Sequence, residues 1–381
     1  MPTDLEWATA SELAGGIRAG RVKARDLLEA QIERTQRWNP LLNAIVANDF
    51  TGARVAADRA DITVQRGMLI GPLHGLAISV KDTIDVEGMS STAGSATLAG
   101  RVAAQDAESV RRLKSAGAII AARSNTPAFA NDAQCVSDLY GRTNNPWDIA
   151  RTSGGSSGGA AAAVAAGLTP FELGSDMGGS VRLPAHFCGV AAHKPTEGLV
   201  PNQGHMPPPP GRPAFPDALN VIGPIARSVA DLRLLLKILA GHPVAVIDED
   251  RRPRHEASSV RLGWSADGVS ASSRTVRQAL EQALLAAGEA GFKLRELPPG
   301  SVDLAGAGAL HARIVEVCDR AWFGGPEPSF GEVVELMGER QLFAQQVDTA
   351  LAEVDAWMLP VAPIGAPAHT LREEPIDVDG T

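Results

Sequence analysis

Aromatic side chains make up only 4% of the 381 residues, with a single tyrosine, so the chain offers few flat platforms for stacking nucleobases. Basic runs are missing too. The net charge is −9 and no Lys/Arg patch stands out, which argues against a nucleic-acid or anionic-membrane partner. No apolar stretch approaches the roughly 20 residues of a bilayer span. Cysteine is scarce: Cys135, Cys188 and Cys318 lie far apart, with no disulfide framework or zinc spacing, as suits a reducing compartment. His74, His186, His193 and His205 show no metal-ligand spacing either, and each reads as a structural or pocket-rim residue. No metal and no cofactor are therefore expected. The opening Met1-Pro2-Thr3-Asp4-Leu5-Glu6 lacks the charged and apolar regions of a secretory leader, and a cytoplasmic protein is the expectation.

What is present has a globular profile, with 44% hydrophobic and 21% charged residues, far from a disordered composition. Alanine and glycine are abundant, so the core must pack small side chains closely. Leu13, Ile17, Val22, Leu27, Leu28 and Ile32 recur at helical spacing, and Gly15, Gly16 and Gly20 break that run into at least two helices. Residues 76–80 read as a short buried strand after the turn Pro72-Leu73-His74-Gly75, with Lys81 at its C-terminal end. A helix is predicted over 107–116 and a strand over 118–122. The alanine-rich run 158–167 predicts a buried helix directly after a Ser-Gly cluster. Four consecutive prolines, Pro207 to Pro210, force an extended loop over 206–216. Helices are predicted over 229–239 and 275–290, and the acidic, proline-rich tail after Pro360 is expected to be poorly ordered. Alternating strands and helices predict an α/β fold, an α/β/α sandwich with a large central mixed β-sheet covered by helices on both faces. Length alone would allow two or three domains, but large α/β sheets often run this long as one, and one domain over 1–381 is expected.

The chemistry concentrates in two glycine clusters and one lysine. They are Gly154-Gly155-Ser156-Ser157-Gly158-Gly159, then Gly174-Ser175-Asp176-Met177-Gly178-Gly179-Ser180, with Val80-Lys81-Asp82 upstream. The first cluster is too short and too closely followed by an apolar helix for a flexible linker. It also lacks the Gly-Lys-Ser/Thr of a phosphate-binding loop. It falls short of the Gly-x-Ser-x-Gly elbow, and no strand precedes it, which disfavours an α/β-hydrolase triad. In the second cluster, Gly178-Gly179-Ser180 lets the backbone approach a ligand and present successive N–H groups as an anion nest. A serine attacks an acyl carbon only if a base removes its proton and donors stabilise the oxyanion. Lys81, placed after an apolar strand, is suited to burial, which lowers a lysine pKa toward that of a base.

These residues, together with Gly141-Arg142-Thr143-Asn144-Asn145-Pro146-Trp147-Asp148 and Asp176 to Ala185, resemble the amidase signature family. The resemblance runs from the N-terminal helices to about Gly241. It divides the single domain into an N-terminal helical segment (1–70), the signature core (71–241) and a variable helical part (242–381). It implies a Ser–cis-Ser–Lys triad with Ser180 as nucleophile, Ser156 as bridging serine and Lys81 as base, the Gly155–Ser156 peptide being cis. Backbone N–H groups of Met177, Gly178, Gly179 and Ser180 would hold the oxyanion. Asp176 and Arg182 would hold the nucleophile loop and Asp82 would support Lys81. Phe129, Ala130 and Asn131, with the loop at His205, would lie near the substrate channel. The implied activity is hydrolysis of a small amide at its C–N bond, with ester or carbamate cleavage as extensions, by a monomer or homodimer. A tRNA-dependent glutamine amidotransferase component working with partner chains and a non-catalytic scaffold are the rivals. The chain departs from the family at Met177, where threonine or isoleucine is commoner, and at Ala160. Residues 250–345 look shortened, and the usual Gly-Leu-Pro-x-Gly stretch past Leu359 is missing, so a shortened C-terminus is expected.

Overall fold

The structure, a computed structural model, describes residues 3–212, 219–241, 256–268, 270–370 and 378–379. These fall into two compact units, one within Met1–Ile247 and Ala366–Glu373, the other within Asp248–Gly365 and Glu374–Thr381.

The first unit opens with α1 (Ala10–Arg18), started by a capping box of Thr9 and Glu12. Gly15 and Gly16 stay inside this helix. The break falls at Gly20, whose φ of +67° suits glycine. Next come α2 (Ala24–Leu42), β1 (Ile45–Asn48) and α3 (Phe50–Gln65). Strand β2 (Ala77–Lys81) is buried at every position. It runs parallel to β3 (Ile119–Ser124), with α4 (Glu108–Ser115) as the crossover, while β1 pairs antiparallel on the far side of β3. The short pair β4 (Val136–Ser137) and β5 (Gly141–Arg142) precedes α5 (Gly158–Ala165). Gly158 to Val164 are all buried, as an alanine helix without a polar face must be.

After α5 comes β6 (Phe171–Asp176), again buried throughout. It was not anticipated, because Glu172, Gly174, Ser175 and Asp176 disguise a core strand as a polar turn. Helix α6 (Arg182–Cys188) leads to β7 (Ala191–Ala192) and β8 (Val221–Ala226), both antiparallel partners in the order β6-β8-β7. Strand β2 lies beside β6, joined through Ser79 and Glu172 side chains. The α/β class is as expected, and the mixed sheet is hydrogen-bonded as three-stranded pieces. Helices α1 to α4 and α7 (Val229–Ala240) share one apolar cluster, and α5 and α6 belong to a second.

In the second unit β9 (Arg261–Trp264) is flanked by the parallel strands β10 (Lys293–Glu296) and β11 (Ala356–Met358), accompanied by α8 (Arg274–Glu289), α9 (Leu304–Asp319) and α10 (Phe330–Ala350). The proline loop is irregular through residue 212 as expected, and 213–216 lie outside the described residues. The tail departs from expectation at 366–370, which belongs to the first unit. Thr152 N–H donates to Pro367 O (3.0 Å) and Gln134 Nε2 to Thr370 O (2.8 Å). Residues 371–377 lie outside the described set. No helix among the described residues is long and apolar enough to cross a membrane.

Buried Asp231 of α7 accepts from Ala10 N–H (2.9 Å), Ser11 N–H (2.9 Å) and Ser11 Oγ (2.6 Å), fastening the first turn of α1 to the core. Hydrogen bonds to a charged acceptor contribute about 1.5–3 kcal/mol. Asp231→Ala is therefore expected to lower the unfolding free energy by about 2–3 kcal/mol, read as an earlier midpoint in urea denaturation.

Candidate functional site

Side chains alternate along a strand, so Ser79 and Lys81 of β2 leave on the same face, and both reach β6. Lys81 is fully buried. Its Nζ lies 2.7 Å from Ser156 Oγ, 3.0 Å from Ser157 Oγ and 3.0 Å from Ser175 Oγ. None of these neighbours is charged. Burial therefore dominates and pushes the amine down to about 7, only partly opposed by the fields of Cys135 and Asp176. A neutral amine donates twice and accepts once, whereas an ammonium donates three times. Three hydroxyls satisfy either form, so the cage tolerates loss and gain of the proton.

Two of the three hydroxyls belong to the first glycine cluster, where the Gly155–Ser156 peptide is cis. A side chain at Gly155 would meet the backbone of Ala133 at 2.8 Å. Helix α5 starts one residue after Ser157, which helps bury both serines. Ser157 Oγ also accepts from Ser175 N–H (3.3 Å), and its N–H donates to Ser180 O (3.0 Å). That backbone bond ties the Ser180 turn to the serine pair. Ser180 itself is half-buried. Among the described residues no hydrogen bond joins its hydroxyl to Ser156.

The Ser180 turn is organised by Asp176, the last residue of β6. Its carboxylate accepts from Gly179 N–H (2.9 Å), Val181 N–H (3.0 Å), and Arg182 Nε (3.0 Å) and Nη2 (2.8 Å). Burial raises the Asp176 carboxyl, but the Arg182 guanidinium and the backbone donors outweigh it and hold the group below the ordinary range. Gly179 sits at φ +116°, a conformation that favours glycine. Of the donors expected for an oxyanion, Gly179 N–H is engaged by Asp176 here, while Gly178 is exposed.

The other expected residues are distributed as follows. Asp82 turns away from the lysine amine. Its Oδ2 accepts from Thr92 Oγ1, Thr92 N–H (3.1 Å) and Gly94 N–H (3.3 Å), fixing the loop beyond β2. Phe129 and Ala130 both adopt positive φ, +50° and +57°, rare for non-glycine residues and commonest where function constrains the backbone. The chain just past Asn131 packs on Gly155, which brings this turn beside Ser156. Sequence reasoning missed Ser157 and Ser175 as partners of Lys81, although both lie in the glycine clusters. It also missed Arg123, whose buried Nη2 donates to Lys81 O (3.0 Å) and to Ile84 O. Glu172, hydrogen-bonded to Ser79 and Ser124, was missed as well, and burial pushes it up to about 8.

A family model described as Amidase matches residues 26–317. A component of the glutamyl-tRNA(Gln) amidotransferase of Anaeromyxobacter sp. (strain K) is 38% identical over 283 residues, covering 71% of this chain and 56% of that protein. The acylamidase of Rhodococcus erythropolis is 36% identical over 307 residues, covering 78% and 62%. A crystal structure of an amidase superposes with a TM-score of 0.84 at 29% identity, covering 98% of this chain and 86% of that one. The chain spans little more than half the length of those two curated relatives.

Holding Lys81 neutral has a stability cost. The unfolded chain binds a proton near the ordinary lysine value while the native state releases it near 7, so stability rises with pH between those limits. Lys81→Met is expected to stabilise the fold by about 1–3 kcal/mol at pH 7 and below. The gain should fade toward zero as pH approaches 10.5, measured by urea denaturation across that range.

Proposed function

The chain belongs to the amidase family, and from that premise we propose that it is a serine hydrolase cleaving the C–N bond of small linear carboxamides. One observation carries the reading: a buried lysine amine, held near neutrality without a counter-ion, sits 2.7 Å from Ser156 Oγ. In the proposed cycle neutral Lys81 takes the Ser156 proton as Ser156 takes that of Ser180. Ser180 Oγ then bonds to the carbonyl carbon, and backbone N–H groups of Met177, Gly178 and Ser180 stabilise the oxyanion, Gly179 N–H being engaged by Asp176. As the tetrahedral intermediate collapses, the C–N bond breaks. Ser156 passes its proton to the departing nitrogen and recovers one from the Lys81 ammonium, and ammonia or an amine leaves. Water repeats the relay against the acyl-enzyme, the Ser180–acyl bond breaks, and Ser180 regains its proton. Asp176 and Arg182 keep the Ser180 turn closed through this sequence, and Phe129, Ala130 and Asn131 border the substrate. Esters and carbamates fit the same steps. We assign the protein to the cytoplasm as a monomer or homodimer needing no cofactor.

A second reading is supported by the 38% identity to the amidotransferase component. Glutamine would then be the substrate, and release of ammonia only in the presence of partner chains would favour it. A non-catalytic scaffold is opposed by the depressed lysine, whose burial without a bonded counter-ion costs stability. Covalent labelling of Ser180 by a fluorophosphonate would eliminate that option.

Ser180→Ala is expected to abolish amide turnover and labelling. Lys81→Ala should reduce kcat by about 10²- to 10⁴-fold. The neutral amine is the active form, so kcat/KM should climb as pH rises through about 7, and near-wild-type turnover by Ser180→Ala would refute the assignment.

A further inference from the structure

The loop 202–206 runs beside the chain that leaves β2. Asp85 N–H donates to Gly204 O (2.8 Å), Met206 N–H donates to Thr83 O (2.7 Å), and Ile84 pairs with His205 as an antiparallel bridge. This pairing fixes His205 against the segment immediately following Lys81. The ring is oriented as well. Asn220 Nδ2 lies 2.9 Å from His205 Nδ1, and Asn220, itself buried, accepts through its carbonyl from Asn202 Nδ2 (2.7 Å). Asn202 O in turn accepts from His205 N–H (2.9 Å). An amide nitrogen only donates, so Nδ1 accepts and the ring proton resides on Nε2.

His205 is half-buried as a residue, yet its Nε2 atom is buried and has no hydrogen-bond partner among the described residues. Burial, followed by the field of Lys81, pushes the imidazole down to about 3. The ring is thus neutral at working pH and lies within electrostatic reach of the lysine. Leaving a buried donor without an acceptor costs about 1–3 kcal/mol. An oriented, unsatisfied donor beside a reactive centre is the signature of a group whose partner arrives with a ligand.

Resting on the hydrolase reading, we propose that His205 Nε2–H is a specificity donor that binds a neutral acceptor oxygen of the substrate outside the scissile amide. An ether, a ketone or a second carboxamide oxygen has the matching chemistry. A substrate carboxylate would instead call for a cation such as arginine. His205 therefore selects neutral amides that carry a second oxygen over amino-acid-like ones.

The test compares kcat/KM for matched pairs of neutral carboxamides, one with an ether oxygen and one with a methylene at successive positions along the acyl and amine sides. Wild-type protein, His205→Phe and His205→Asn are assayed. Turnover of the all-methylene parent by wild-type protein checks the hydrolase reading separately. The ability of each pair to protect Ser180 from fluorophosphonate labelling gives a binding readout that does not need turnover. At one position the ether compound should be preferred by about tenfold in wild-type protein. That ratio should fall to about one in His205→Phe and recover in part in His205→Asn, which keeps a donor. Absence of a preference at every position in wild-type protein, or a preference that survives in His205→Phe, overturns the assignment.

Discussion

The constraint on which the site depends is the burial of one amine among hydroxyls with no bonded counter-ion. Any carboxylate within bonding distance of Lys81 Nζ would hold the proton and silence the base. Asp82 is adjacent in sequence, and the fold turns it toward Thr92 and Gly94 instead. Asp176 is near enough to be felt, but its oxygens are already occupied by Arg182 and the backbone of the Ser180 turn. Serine is the residue that resolves the conflict, since it bonds to the amine in either protonation state without a charge of its own.

The surroundings follow the same logic of local neutrality. Arg123 is buried beside Asp82, with Nε 3.7 Å from Oδ1, and it grips the carbonyls of Lys81 and Ile84. Glu172 is pushed up to about 8 by burial, so it is mostly an uncharged acid at neutral pH, bonded to Ser79 and Ser124. Strands β2, β3 and β6 are thus cross-linked by polar groups, none of which places a charged partner on the amine. Burying so many polar groups is tolerable only because most of them are hydrogen-bonded. The small core residues have a related purpose: α5 is built of glycine and alanine but for Val164, which lets the serine pair descend onto the strands. A side chain at Gly174 would meet Ser157 Oγ at 2.7 Å.

Much of this was legible in the sequence. The run 76–80 marked β2 because it is apolar and bounded by glycine and proline, and Lys81 at its end followed. The alanine run marked α5, and the glycine clusters marked the two turns. Strand β6 was hidden because Glu172, Ser175 and Asp176 carry the polarity of a loop, and only tertiary burial makes them strand residues. The break between α1 and α2 was misplaced in part. Gly15 and Gly16 are tolerated within α1, and only Gly20 needs a positive φ. The contacts of Ser157 and Ser175 with the amine arise from β2 lying beside β6, a non-local pairing that periodicity does not encode.

The first unit is not contiguous in sequence. Its segment 366–370 lies against residues 134 and 150–152, with Arg151 Nη1 donating to Ala366 O (2.7 Å) and Thr370 N–H to Gln134 Oε1 (3.2 Å), only a few positions from the cis peptide. During synthesis the ribosome therefore delivers all the side chains bonded to the lysine amine long before it delivers this segment. The hydrogen bonds that this segment makes to Gln134, Arg151 and Thr152 can therefore form only after nearly the whole chain has been made.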